Sequence, residues 1–410
     1  MANKTHVAFV LGLEENGYGI VRSLARERVP IVGIHSKAKA FGRFSRYCKN
    51  YYLDSSVQGE ERFCEILLDW CLHFDNKPVL FPTNDEYALL LAKQKERLAN
   101  HFLFHWVCPE YLSRIIDKSE MSQFCQQAGI LIPRTHITRA EEDLAAPAKE
   151  FPFPCIVKPV RNFDTHFPRG MKNFVAHSPK DLLNFYSNNA GLKNQTIWQE
   201  VIEGGDENIF QCTALIRASG EIGMTFCARK IRQYVPGYGS MCFGRSEWND
   251  LVVLKALKLL SLVGHRGFAS LEFKYQRKDD SFYFIEMNPR LPWYSSLFAD
   301  AGVNLPCLGY LDLTQKADFP TLKQRDGIYW ISFKRDLRWL FRTRKNRPIS
   351  LMQWLGSVAR ARSYSWWEWK DPKPFLGSTG DRLRNGIRKI VKQVRTSLKI
   401  GASTSTRPVR

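Results

Sequence analysis

The chain holds ten cysteines in 410 residues, yet no two of them stand in CxxC spacing. That excludes the usual zinc-ribbon and thiol-redox patterns. Most cysteines lie in apolar runs, as at Cys64, Cys155, Cys212 and Cys227, and read as reduced core residues of a cytoplasmic protein. No stretch approaches the roughly 20 apolar residues that span a bilayer. The early VAFVLGL is short and soon interrupted by Glu14 and Glu15, so it is expected to be a first strand and not a leader. The sequence GLEENGYG follows that strand with three glycines. It does not match GxGxxG, and no acidic residue ends the next strand, which argues against a bound dinucleotide. Negative charge is scarce near the C-terminus. Residues 323–410 carry 22 Lys and Arg against 5 Asp and Glu, which is +17 of the net +20. The body is close to neutral, so the basic part reads as an appendage on something other than a nucleic-acid-binding core.

What is present suits two or three domains with a substantial core. Residues 1–112 show βαβ spacing, with strands at His6–Leu11 and Pro30–Ile34 around a helix over Val21–Arg28. Thr83-Asn84-Asp85-Glu86 follows a strand at Pro78–Phe81, where open α/β sheets bind ligands, although Thr83 or Asn84 serves equally as a helix cap. A helix over Asp117–Ala128 carries Lys118 at its start. FPFPCIVKPV, residues 151–160, is an apolar strand that carries Lys158, a residue type rarely buried without a partner. TIWQEVI, residues 196–202, is a strand that runs into EGGDEN. Arg229, Lys230 and Arg232 gather cations beside Gly237, Gly239 and Gly244. They suit an anionic substrate or, equally, a solvated strand end.

The most informative stretch is GFASLEFKYQRKDDSFYFIEMNPR, residues 267–290. It reads as two aromatic-rich strands around the polar QRKDDS turn. With the turn centred on Asp279, Glu272 lies opposite Glu286. Directly opposed side chains have Cβ atoms roughly 4.5–5.5 Å apart, and like charges there are destabilising. Asn288 and Arg290 follow Glu286 in steps of two and share its face. Two carboxylates and an amide oxygen on one face suit Mg²⁺, which takes oxygen ligands and bridges to phosphates. The alternative is an exposed charged face, against which the flanking phenylalanines argue. The metal reading fails if the two carboxylates diverge or if a neighbouring side chain places its own cation on them.

The order Lys118, Lys158 in VKP, QEVIEGGDEN, Glu272 and FIEMNPR resembles the ATP-grasp superfamily of ATP-dependent carboxylate–amine ligases. Within it the chain resembles carboligases related to D-aspartate ligase, over roughly residues 1–312. The resemblance implies an α/β (α+β) ATP-grasp fold with three parts. These are a Rossmann-like preceding domain over 1–112, the ATP-grasp domain over 113–315 with a hinge near 200–203, and a basic extension over 316–410. It implies that Lys118 and Lys158 contact ATP phosphates. Glu200, Val201 and Ile202 would read adenine, and Glu207 would hold the ribose. Glu272, Glu286 and Asn288 would hold two Mg²⁺ ions, with Mn²⁺ as a substitute. Arg290 would meet the acyl phosphate, with Lys230, Arg232 and Arg229 as further partners of that anion. Small-molecule acid and amine substrates and a homodimer are implied, and no nucleic acid. One departure stands out: the segment after Lys158 has Gly170 as its only glycine, so phosphate cover is expected from Arg161, His166 or Arg169.

After about residue 320, tryptophans alternate with cations. Residues 382–399 place Leu383, Ile387, Ile390, Val391, Val394 and Leu398 at helical spacing against a basic face. Such a helix suits an anionic membrane surface on the inner face, and tryptophans favour that boundary; a helix docked on the body is the alternative. The leading expectation is an ATP-dependent ligase that joins an amino acid to a cell-envelope or polysaccharide precursor. The competing expectation is a non-catalytic membrane- or polyanion-binding protein that keeps the fold.

Overall fold

The computed structural model describes residues 5–36, 40–53, 59–140, 142–161, 167–168, 171, 173–315, 322–343 and 349–377. His166 and Arg169 of the expected phosphate cover, and the basic helix at 382–399, lie outside these residues.

Three sheets organise the chain. The first is parallel, in the order Lys49–Tyr52, Ile31–His35, Ala8–Leu11, Val79–Pro82. Ala8–Leu11 is buried on both faces, as a central parallel strand must be. Ala8 and Val10 pack with Ile20, Leu24 and Leu297, whereas Phe9 and Leu11 pack with Phe63, Leu67 and Leu91. The helix expected over Val21–Arg28 spans Glu15–Arg26 and so takes in Gly17 and Gly19. A Cβ at Gly17 would collide with the Gly12 carbonyl, and one at Gly19 with Ser295. These glycines let the helix start pack tightly against the strand end and against residues near 295, a use unrelated to dinucleotide binding.

The second sheet is antiparallel: Thr135–Ile137, Thr196–Glu200, Cys155–Pro159, Phe174–Ala176. Helix Pro179–Asn188 covers it through Leu182, Phe185 and Tyr186 against Val157 and Trp198. The third sheet has seven strands. Its order is Ser281–Asn288, Gly267–Gln276, Ile209–Ile216, Ile222–Tyr234, Ser240–Ser246, Tyr329–Ile331, Ala361–Tyr364. Helices Lys118–Gln127 and Asp250–Leu262 pack on one face of it, through Met121, Phe124, Ala256 and Leu259.

The segment expected as an extension over 316–410 enters the body. Two of its strands complete the large sheet. Helices Phe333–Arg342 and Leu351–Ala359 bury Trp339, Leu340 and Trp354 against Cys242. Trp330 is fully buried, and Trp366 stacks on Phe41 of the first domain at 4.3 Å. Asp371, also fully buried, accepts hydrogen bonds from the Ser45 hydroxyl, the Arg46 amide and the Tyr18 hydroxyl. These tryptophans are therefore core and interdomain residues, not the interfacial belt expected of them; Trp369 is the exposed exception. All ten cysteines are free and all but Cys108 are buried, as expected. Among the described residues, no helix is long and apolar enough to cross a membrane.

Candidate active site

Glu272 and Glu286 are direct partners across the ribbon, and Ser270 lies opposite Asn288. Along Gly267–Gln276 the faces alternate regularly. Ala269, Leu271 and Phe273 go to the core, and Ser270, Glu272 and Lys274 to a cleft of about 700 Å³ between the three sheets. The partner strand is irregular. The register slips by one between the Glu272–Glu286 and Phe273–Phe284 pairs, which leaves Ile285 as an extra residue. A bulge of this kind reverses the parity of the strand. Phe282 and Phe284 point into the core, yet Glu286 and Asn288, an even number of residues further on, line the cleft. Without the extra residue, the acidic pair and the phenylalanines would compete for one face.

Cations surround the pair. Lys230 Nζ lies 2.7 Å from Glu272 Oε2, and Gln211 Nε2 donates to the same oxygen at 3.0 Å. Lys158 Nζ donates to Gln199 Oε1 at 2.8 Å, and Lys118 Nζ to the Pro159 carbonyl at 2.9 Å. Burial pulls the Lys118 ammonium down to about 8 against the opposing pull of Glu286. Lys158 is lowered by burial too. Burial also raises the Glu272 carboxyl, with Glu286 adding to the rise and Lys230 opposing it. For Glu286 burial acts upward, but Lys230, Lys118 and Lys158 together outweigh it and hold the group below its ordinary value. One carboxylate of the pair is thus the firmly ionised one, as expected of two acids that share a site.

The first domain closes the cleft's other end. Arg290 Nε donates to Asp85 Oδ1 at 2.8 Å and Arg290 Nη2 to Asn288 Oδ1 at 3.0 Å, which ties the first domain to the ribbon. Asn84 caps helix Asp85–Lys93 by accepting from the Tyr87 amide, the capping role weighed for it. Glu200, Val201 and Ile202 line the cleft. The Glu200 carboxylate accepts from the Arg134 amide, and the Val201 amide donates to Pro154. Glu207 is exposed and lies outside the cleft lining, with its carbonyl taken by Arg229.

Two cations depart from expectation. Arg232 does not face the cleft. Its guanidinium makes a two-pronged contact with Asp336 at 2.7 and 2.8 Å and lies over Phe243, only 5% exposed. The register slips at Ile231, between Lys230 and Arg232, so residues two apart face differently. Arg229 pairs with Glu247 at 3.1 Å, away from the cleft lining. Arg161 donates to Asp117 at 3.3 Å. Sequence reasoning missed Lys274, Gln211 and Gln233, all of which line the cleft. Lys274 follows Glu272 by two on the same strand and was within reach of the same alternation rule. Gln211 sits opposite Glu272 on Ile209–Ile216, a neighbour that only the strand order reveals.

Two carboxylates and one amide oxygen are hard oxygen donors, which suit Mg²⁺, but three are too few to enclose it, so phosphate or water must complete the shell. Among the described residues no cluster of three or more His, Cys, Asp or Glu side chains forms a closed site. Lys230 stands on Glu272 and Arg290 on Asn288. A side-chain cation therefore does stand on one carboxylate of the pair, which meets one of the two conditions under which the reading of a metal held between them fails. The set fits a metal that arrives with a polyphosphate and displaces the Lys230 contact.

Comparison with known proteins agrees with this geometry. The family described as carbamoyl-phosphate synthase L chain, ATP binding domain, matches residues 243–305. D-aspartate ligase of Enterococcus faecium is 22% identical over 318 residues, covering 74% of this chain and 75% of that protein. An ADP complex of N5-carboxyaminoimidazole ribonucleotide synthetase superposes with a TM-score of 0.63 at 13% identity, covering 84% of this chain and 86% of its own. The L-amino acid ligase from Bacillus licheniformis superposes with a TM-score of 0.57 at 16% identity, covering 77% and 75%. The fold is the one these enzymes share.

Proposed function

We propose that this protein uses ATP to activate a carboxylate as an acyl phosphate and then joins it to an amine, one of the two substrates being an amino acid. The observation that carries the reading is the Glu272–Glu286 pair, set in one cleft with Lys118 and Lys158. A carboxylate is inert toward amines in water because oxide is its leaving group. Attack of a carboxylate oxygen on the terminal phosphorus of ATP releases ADP and turns that oxygen into part of a phosphate leaving group. The amine nitrogen then attacks the acyl carbon, phosphate departs with the bonding pair, and the nitrogen sheds a proton.

The residues' share of this work is positioning and charge neutralisation. Lys118 and Lys158 would offset the charge of the triphosphate; their depressed pKa values reflect burial that an incoming polyanion would offset. Glu200, Val201 and Ile202 would line the adenine end. Glu207, at the rim, would reach the ribose only from outside the cleft lining. Glu272, Glu286 and Asn288 would hold Mg²⁺ delivered with the nucleotide. Mg²⁺ there supplies charge stabilisation for the transferring oxygens. Lys230, released from Glu272, and Arg290, with its bidentate fork, would hold the acid. The amino-acid substrate is favoured by the names of two similar proteins, D-aspartate ligase and L-amino acid ligase. A cell-envelope or polysaccharide precursor is the acceptor proposed.

The test is ADP release that requires both an acid and an amine. Glu286→Gln should lower it by about 10³-fold or more while the protein still unfolds in one cooperative transition. Turnover equal to that of the parent would reject the acidic pair as the reaction centre.

A further inference from the structure

Beside the cleft, three parts of the chain meet. Glu15 comes from the first domain, Trp293 from the loop after the ribbon, and both line the cleft. Behind them stands Arg335, on helix Phe333–Arg342 of the C-terminal segment. Its guanidinium carbon lies 3.8 Å from the centre of the Trp293 ring, and its Nη2 is 3.3 Å from Glu15 Oε1. The side chain is held by these two contacts, is 28% exposed and is not itself part of the cleft lining. Its helix is fixed in place, because the next residue, fully buried Asp336, receives both prongs of Arg232 and the Trp354 indole N–H.

A carboxylate and a guanidinium held side by side on an indole floor match the headgroup of an α-amino acid. An ammonium replaces Arg335 as the partner of Glu15, and a carboxylate replaces Glu15 as the partner of Arg335. The exchange conserves charge and leaves no group unpaired, which is the condition for a polar site to discriminate strongly. An arginine stacked on a ring presents its N–H edge in a fixed plane, so little side-chain entropy is lost when it takes a carboxylate.

We propose that Arg335 is a specificity-determining residue that, together with Glu15 and Trp293, reads the ammonium and carboxylate headgroup of the amino-acid substrate. The inference rests on the ligase reading above and names the part of the chain that selects the substrate. The segment that supplies Arg335 lies outside residues 243–305, which match the ATP-binding family.

The experiment measures ADP release by the full chain with each common α-amino acid, in D and L forms, as the varied substrate. Arg335→Ala should raise KM for the preferred amino acid by about 10-fold, the loss of one charge-assisted contact, while KM for ATP changes by less than about twofold. Arg335→Lys, which keeps the charge without the planar fork, should recover part of that loss. A merely structural role would raise both KM values together and shift the melting temperature, and that result overturns the proposal. An unchanged amino-acid KM in Arg335→Ala overturns it as well, while leaving the ligase reading intact. If no amino acid supports ADP release in the parent but another acid and amine do, this inference fails together with the amino-acid part of the proposed function, and ATP-dependent ligation stands. If no acid and amine pair does, the ligase reading fails with it.

Discussion

Lys230 and Arg232 stand two residues apart on one strand and have opposite fates. Lys230 reaches into the cleft and rests on Glu272, whereas Arg232 is sealed between Phe243 and Asp336 in the packing of the C-terminal helices. Their neighbour Arg229 has a third environment, a partly exposed pair with Glu247. Three cations in one short run thus divide into a cleft residue, a core residue and a rim residue. The difference teaches that charge type marks a candidate and strand geometry assigns it. The slip at Ile231, the first of two in this strand pair, sends Arg232 to the side where Trp339 and Trp354 wait. Burial of a cation in the cleft leaves it open to exchange with an incoming anion. Burial in the core makes it part of the fold.

That contrast can be broken in order of effect. Lys230→Met should lower ligase turnover by about 10²–10³-fold, since it removes a charge from the reacting end of the cleft. Its cost in stability should be small, because Glu272, already raised by burial, becomes neutral by taking a proton. Steady-state ADP release and a denaturation curve read the two quantities separately. Arg232→Met should do the reverse. Removing one partner of a fully buried pair costs about 3–5 kcal/mol, because Asp336 is left uncompensated. The denaturation midpoint should drop accordingly, while KM for ATP in the protein that remains folded should hold. If Arg232→Met instead lost activity at unchanged stability, the division between the two cations would be wrong. Arg229→Gln is the smallest change. An exposed pair is worth about 1 kcal/mol or less, so both turnover and stability should stay near those of the parent.

The ribbon was the most legible part of the chain, and the reason is instructive. Counting outward from Asp279 pairs Glu272 with Glu286, which is the observed register. Yet the turn occupies residues 277–280, so its centre falls half a residue earlier, and the extra Ile285 restores the match. The pairing came out correctly through two offsets that cancel. Regular alternation would put Lys230 and Arg232 on one face, and the slip between them is why Arg232 faces elsewhere. Bulges leave no reliable mark in a single sequence, because the extra residue is an ordinary isoleucine in each case. The glycines after the first strand show a related limit. Their number suggested a ligand loop that the spacing then denied, but part of what they serve, the close contact of Gly19 with Ser295, depends on a residue far along the chain.

The C-terminal tryptophans were the least legible. Interleaved with cations, they fit a membrane boundary, whereas Trp330, Trp339 and Trp354 complete the large sheet and its covering helices. An indole surrounded by arginines is chemically the same pattern whether the ring meets lipid or protein. Only the presence of Cys242, Phe243 and Asp336 on the facing surface decides between them.

The order of the chain alone determined the parts list: two lysines at element ends, an opposed acidic pair on a ribbon, and a basic C-terminal segment. Side-chain chemistry and local alternation are short-range properties, so they are written in neighbouring letters. Tertiary structure decided which cations face the cleft, that Lys230 rests on Glu272, and that a helix near residue 335 reaches Glu15 and Trp293. Those outcomes depend on sheet order and on the slip of one strand against the next, which are set by packing among residues as far as 320 positions apart.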